Sequence, residues 1–219
     1  MTRLIVFDCD GTLVDSQHLI IDAMRLTFES RGLTPPADDA VRHIVGLSLA
    51  EAIGELVPGI GQAELAVLVE GYKQTFQAMR RQPLFHEPLF AGARETLHEL
   101  ERRGILLAMA TGKSDRGLAS VLQHHALSGL FVSLQTADRH PSKPHPSMLE
   151  AAMRETGSAP DETIMVGDTS YDMQMARAAR VRPIGVGWGY HAVAALELAG
   201  AEVIVDHFEQ LLELAAAPA

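Results

Sequence analysis

Short apolar runs recur along the chain, each ending in a polar turn, and helical patterns fill the intervals. Leu4 to Phe7 is apolar throughout and stops at an aspartate-rich Gly turn. A run of this kind, without alternation, predicts a strand buried on both faces. Ile105 to Ala110, ending at Thr111-Gly112, and Thr163 to Val166, ending at Gly167-Asp168, repeat the pattern. Arg182 to Val186 and Glu202 to Val205 are weaker versions, and Phe131 to Leu134 is ambiguous. Between the runs, residues three to four apart form apolar stripes over Ala91–Arg103, Arg116–His125, Pro146–Glu155 and Tyr171–Ala179, with a last helix expected over His207–Ala215. Alternating strands and helices predict an α/β fold, a parallel sheet covered on both faces.

Residues 17–84 break this rhythm. Helical patterns cover His18–Ser30, Leu49–Leu56 and Gln62–Met79, and no strand pattern stands among them. The sequence therefore predicts a small all-helical unit at 17–84, inserted just after the first strand. The α/β unit comprises 1–16 and 85–219, and the chain returns to it near Pro83 to Pro88.

Bulk composition narrows the possibilities only modestly. At 219 residues and 47% apolar, the chain is long enough for one or two domains with a sizeable core. A formal charge of −10 argues against nucleic acid or an anionic membrane as partner, although local cations still permit a small anionic substrate. Cys9 is the single cysteine, so no intrachain disulfide forms, which suits a reducing compartment. No stretch approaches the ~20 apolar residues of a membrane span, and the N-terminus runs directly into a strand without a signal-peptide pattern. A cytoplasmic protein, monomeric or homodimeric, is expected.

The polar residues that carry chemistry fall at predicted strand ends: Asp8 and Asp10; Thr111, Gly112 and Lys113; Lys143 in the long loop HPSKPHP; Asp168 and Asp172. In an open α/β sheet the C-terminal strand ends form the ligand edge, so all of these reach one place. Asp8 and Asp10 lie two apart on an extended segment and point the same way. Carboxylates that close raise each other's pKa unless a cation joins them. A hard divalent ion such as Mg²⁺ suits them, with Asp168 and Asp172 adding oxygens. Such an ion with Lys143, the Thr111 hydroxyl and the amides near Gly112 makes a phosphate cradle, and one carboxylate is then free to attack phosphorus. Each fragment alone also has an ordinary reading. DxDG occurs in tight turns and calcium loops, Thr-Gly ends strands, and a lysine between prolines sits in exposed loops.

Four motifs, DCDGTLVDS, ATGK, SKPHP and GDTSYDMQMA, span nearly the whole chain. With them the sequence resembles the haloacid dehalogenase-like hydrolase superfamily, and within it the phosphoglycolate phosphatase-like branch. The resemblance implies a Rossmann-like core with a mobile helical cap. It makes Asp8 the nucleophile and Asp10 the general acid/base. Mg²⁺ would be held by Asp8, the Asp10 carbonyl, Asp168 and Asp172, and the phosphoryl group by Thr111, Gly112 and Lys143. It further implies that the segment RHIVGLS dips toward the site, making Arg42, His43, Gly46 and Ser48 candidates for leaving-group contacts. The expected activity is Mg²⁺-dependent hydrolysis of a small phosphorylated metabolite, with phosphoglycolate the best named substrate. Dehalogenases of this superfamily lack an acid at the position of Asp10, since a halide leaves without a proton and an alkoxide does not. The alternatives are a β-phosphoglucomutase-like phosphotransferase, a pyrophosphate or nucleotide phosphatase, and a non-catalytic binding protein on the same fold.

Overall fold

The computed structural model describes residues 2–82 and 85–216. Six parallel strands form one sheet in the order β3-β2-β1-β4-β5-β6: β1 Leu4–Phe7, β2 Leu106–Thr111, β3 Ser133–Thr136, β4 Thr163–Gly167, β5 Arg182–Val186 and β6 Val203–Val205. The direction of chain progress reverses at β1, which lies between β2 and β4, and this switch point is where such sheets open a crevice for ligands.

Side-chain alternation along β1 builds both layers. Ile5 and Phe7 pack into one core with α5 (Ala93–Arg102), α6 (Asp115–His124) and α10 (Gln210–Ala216). Leu4 and Val6 pack into the opposite core with α7 (Ser147–Thr156) and α8 (Ser170–Ala178). Cys9 continues the first face and is buried there. A seven-residue helix, α9 (Val193–Ala199), links β5 to β6.

The helical unit consists of α1 (Gln17–Ser30), α2 (Asp38–Ile44), α3 (Leu49–Leu56) and α4 (Gln62–Arg80), and it buries a core of its own around Met24, Phe28, Val41, Ile53 and Leu68. Its two connections to the sheet run side by side. Val14 bridges antiparallel to Leu89, the Asp15 amide donates to the Pro88 carbonyl at 2.8 Å, and the Phe90 amide to the Leu13 carbonyl at 3.0 Å. Pro83 and Leu84, part of the expected return to the sheet, lie outside the described residues.

The structure differs from the sequence expectation in three elements. β3 lies at Ser133–Thr136 rather than at the more apolar Phe131–Leu134. Two of its side chains, Ser133 and Gln135, are polar yet buried, and both donate to Glu155 of α7, at 2.7 and 2.8 Å. The helices α2 and α9 carried no readable stripe because each spans only seven residues. Leu97 of α5 is fully buried beneath the sheet. Replacing it with Ala should cost about 2–5 kcal/mol, measurable as a lowered urea midpoint with an unchanged slope.

Candidate active site

Three carboxylates and one ammonium are buried together at the C-terminal edge of β1 and β4. Asp8, Asp168, Asp172 and Lys143 are each at most 2% exposed. Lys143 Nζ lies 2.8 Å from Asp8 Oδ1 and 2.6 Å from Asp172 Oδ1. Asp172 is the third residue of α8, where it forms a capping box with Thr169. Its Oδ2 accepts from the Thr169 hydroxyl at 2.7 Å and amide at 3.1 Å. The capping geometry thus aims Oδ1 at Lys143. Asp168 accepts from the Thr12 hydroxyl at 2.9 Å and from the Tyr190 amide at 3.0 Å. Gly11, in the left-handed region at φ 79°, and Gly189 press so close to the Asp168 carboxylate that a Cβ at either position would overlap it.

The electrostatics are unbalanced. Burial, reinforced by Asp172 and Asp10 and opposed by Lys143, pushes the Asp8 carboxyl up to about 7. Burial together with Asp8 and Asp172 raises Asp168 well above the usual carboxylate range. Burial alone would lower the Lys143 ammonium, yet Asp172 and Asp8 hold it above its ordinary value. One lysine facing two anions keeps its charge, whereas three carboxylates facing one lysine do not balance. Neither oxygen of Asp8 receives a well-directed hydrogen bond among the described residues, despite complete burial. Oxygens of Asp8, Asp168 and Asp172 lie within 4.8 Å of one another. Crowded, all-oxygen and under-neutralised, the cluster fits a hard divalent cation.

Asp10 stands apart from this triad. Its Oδ1 accepts from the Ser16 hydroxyl and pairs with Lys113 Nζ at 2.9 Å. Thr111 is buried at the end of β2, and its hydroxyl oxygen accepts from the Lys113 amide at 3.2 Å, which leaves its proton available to a ligand. Gly112 faces the helical unit so closely that a Cβ would overlap the Leu47 carbonyl.

A cleft of about 770 Å³ opens over Asp8, Asp10, Thr111 and Gly112, between the sheet edge and the helical unit. Gly46 and Ser48 line it, and the Ser48 amide donates to Ser142 Oγ at 2.8 Å. Arg42 and His43 do not line it. Arg42 turns to Gln17 and Asp39, at 2.9 and 2.5 Å. The His43 ring stacks on His191 at 5.1 Å, and the His43 carbonyl accepts from His191 Nε2 at 3.1 Å. Sequence reasoning placed Lys113 at this edge without giving it a role, and read Tyr190 as shaping the entrance or packing at the hinge; its hydroxyl accepts from the Ser16 amide at 3.0 Å. It passed over Glu87, which is buried beside Lys113. The ATGK motif was the one available signal for Lys113. Glu87 sits in an irregular linker and offers none.

The family model for haloacid dehalogenase-like hydrolases matches residues 5–186. The chain belongs to that family. It is 36% identical over 224 residues to a Dickeya dadantii protein named "Probable phosphatase IndB", covering 97% of this chain and 93% of that one. It is 30% identical over 216 residues to the phosphoglycolate phosphatase of Agrobacterium fabrum, covering 96% and 91%. Among solved structures, a hydrolase from Pseudomonas syringae superposes with a TM-score of 0.87 at 25% identity, over 98% of this chain and 97% of that one. The protein is a phosphatase of the haloacid dehalogenase-like family, and phosphatases of this family generally use a divalent metal. No helix among the described residues is long and apolar enough to cross a membrane.

The raised Asp8 carboxyl sets a stability signature. With a folded pKa of about 7 against 3.8, the metal-free native state binds more protons than the unfolded chain between those values. Its contribution to stability therefore falls as pH rises through that window. A divalent cation should raise the melting temperature more at pH 7.5 than at pH 5, where protons compete for the same oxygens. An equal rise at both, read by thermal denaturation, would contradict the assigned cluster.

Proposed function

We propose that this phosphatase hydrolyses a small phosphate monoester in two steps, with Asp8 as nucleophile and Asp10 as general acid and base. The observation that carries the reading is the state of Asp8. It is buried, receives no well-directed hydrogen bond from the described residues, and is steadied by Lys143. A carboxylate so poorly solvated is a far better nucleophile than one in water. Attack of an Asp8 oxygen forms a P–O bond as the ester P–O bond breaks, and Asp10 gives its proton to the departing oxygen. Asp10 then takes a proton from the water that attacks the aspartyl-phosphate, and Asp8 is released. Thr111, the Gly112 amide and Lys143 would hold the phosphoryl oxygens.

Asp8, Asp168 and Asp172, with the Asp10 carbonyl, would hold Mg²⁺. When bound, the ion neutralises the charge that builds on the transferring group. The names of relatives such as the Agrobacterium fabrum enzyme make phosphoglycolate the first substrate to try. Gly46 and Ser48, which line the cleft, would meet the leaving group.

The test is phosphate release across phosphoglycolate, sugar phosphates, nucleotides and pyrophosphate, with and without Mg²⁺. Release should require the ion and favour a monoester. Asp8→Asn should remove turnover by at least about 10³-fold while leaving the protein folded. Appreciable turnover in that variant would exclude the covalent route.

A further inference from the structure

The site contains two carboxylate–ammonium–carboxylate arrays. In the first, Lys143 lies between Asp8 and Asp172 and all three groups belong to the sheet edge. In the second, Lys113 lies between Asp10, at 2.9 Å, and Glu87, at 3.4 Å. The second array reaches outside the sheet. Glu87 is 1% exposed and lies in the linker that returns from the helical unit. Its Oε2 pairs with Arg80, the last residue of α4, at 3.1 Å. The Glu87 carbonyl accepts from His125 Nε2 at 2.8 Å, which fixes its backbone. Phe76 of α4 lies 5.6 Å from Lys113 Nζ and 5.4 Å from the Arg80 guanidinium.

A lysine so enclosed, its side chain 11% exposed, has little freedom. Burial alone would lower its ammonium, but Asp10 and Glu87 hold it above the usual range, so it stays a cation. It contacts one particular oxygen of Asp10. Oδ1 takes both Lys113 and the Ser16 hydroxyl, while no described residue donates to Oδ2. A carboxyl group anchored through one oxygen presents the other in a fixed direction, as proton transfer to a reacting atom requires.

We infer that Lys113 is a positioning residue: with Ser16 it pins Oδ1 of Asp10 so that Oδ2 handles the proton in both steps, and buried Glu87 holds the lysine in place. The inference rests on the reading of Asp10 as general acid and base. In the first step the Oδ2 proton passes to the ester oxygen as the P–O bond breaks. In the second, Oδ2 receives the proton of the attacking water as the Asp8–phosphorus bond breaks. Through Arg80 and Phe76 the aim of Asp10 also depends on where α4 sits, which ties the acid/base group to the helical unit.

Leaving-group dependence tests this, because p-nitrophenolate departs without a proton and an alkoxide does not. In Lys113→Met, kcat/KM should fall on the order of 10²-fold for phosphoglycolate but less than about tenfold for p-nitrophenyl phosphate. Stopped-flow with the aryl ester should also show a burst near one nitrophenolate per enzyme. Phosphorylation of Asp8 survives there, while hydrolysis still waits on Asp10. Glu87→Gln should give the same bias at smaller size, and it serves as the readout should Lys113→Met not fold. Equal losses on both esters without a burst would overturn the inference. Asp10→Asn run alongside separates the levels. An unbiased loss there overturns the acid/base reading and this inference with it. A biased loss there with an unbiased one in Lys113→Met overturns the inference alone.

Discussion

Three carboxylates around one ammonium, sealed at the strand ends, are the constraint to which the surrounding structure answers. Removing such charges from water is costly, and a single cation does not repay three anions. The fold nevertheless holds them within 4.8 Å of one another. It does so by giving most of their oxygens a fixed partner: Thr12 and the Tyr190 amide on Asp168, Thr169 and Lys143 on Asp172. Glycines at 11 and 189 let the backbone approach where no Cβ fits. Of the three carboxylates, Asp8 alone receives no well-directed hydrogen bond from the described residues. The imbalance of the cluster thereby falls on the Asp8 carboxyl, an arrangement found where pKa values are tuned for catalysis.

The helical unit is joined to that edge at several points rather than merely tethered. Its loop 43–48 meets the sheet through His191 on the His43 carbonyl, Ser142 on the Ser48 amide and the close approach of Gly112 to Leu47. The two linkers are paired by the Val14–Leu89 bridge, which ties them into one strip. Ser16 lies on that strip, bonded to both Asp10 and Tyr190. Any displacement of the helices thus bears on residues that touch Asp10, while the array of Asp8, Lys143 and Asp172 stays within the sheet. Asp8 is held by the core, and Asp10 is held at the boundary between the two units.

Much of this was readable in sequence because the strand ends are written twice, as apolar runs and as the polar residues that stop them. Leu4–Phe7 followed by Asp8 and Asp10 marks both the central strand and the carboxylates at its end. Lys143, buried between prolines, shows the limit of local reading: nothing near it is apolar, and only its distant partners explain its burial. β3 escaped because its inward side chains are Ser133 and Gln135, whose burial depends on Glu155, about twenty residues later. Arg42 and His43 look like ligand contacts in a one-dimensional motif. The C-terminal turn of α2 gives one to Asp39 and Gln17 and the other to His191. Glu87 was invisible for the same kind of reason, since a lone acid in an irregular linker carries no period.

Asp8 and Asp10 are identical residues two apart on one strand end, so chemistry alone does not separate their roles. What separates them is the pairing. Lys143 reaches Asp8 from the loop before α7, and Lys113 reaches Asp10 from the loop before α6. Each lysine is tied off by a second acid, Asp172 in one case and Glu87 in the other, so neither is free to bridge both aspartates. Asp8 faces two further carboxylates, with oxygens of all three within 4.8 Å of one another. Asp10 faces a hydroxyl, an ammonium and the open cleft. Two environments of such different polarity suit one carboxylate to bond formation and the other to proton transfer. Both loops follow strands on the same side of β1, but they lead to helices on opposite faces of the sheet, α6 on one and α7 on the other, and this brings the two lysines to the strand end from different faces.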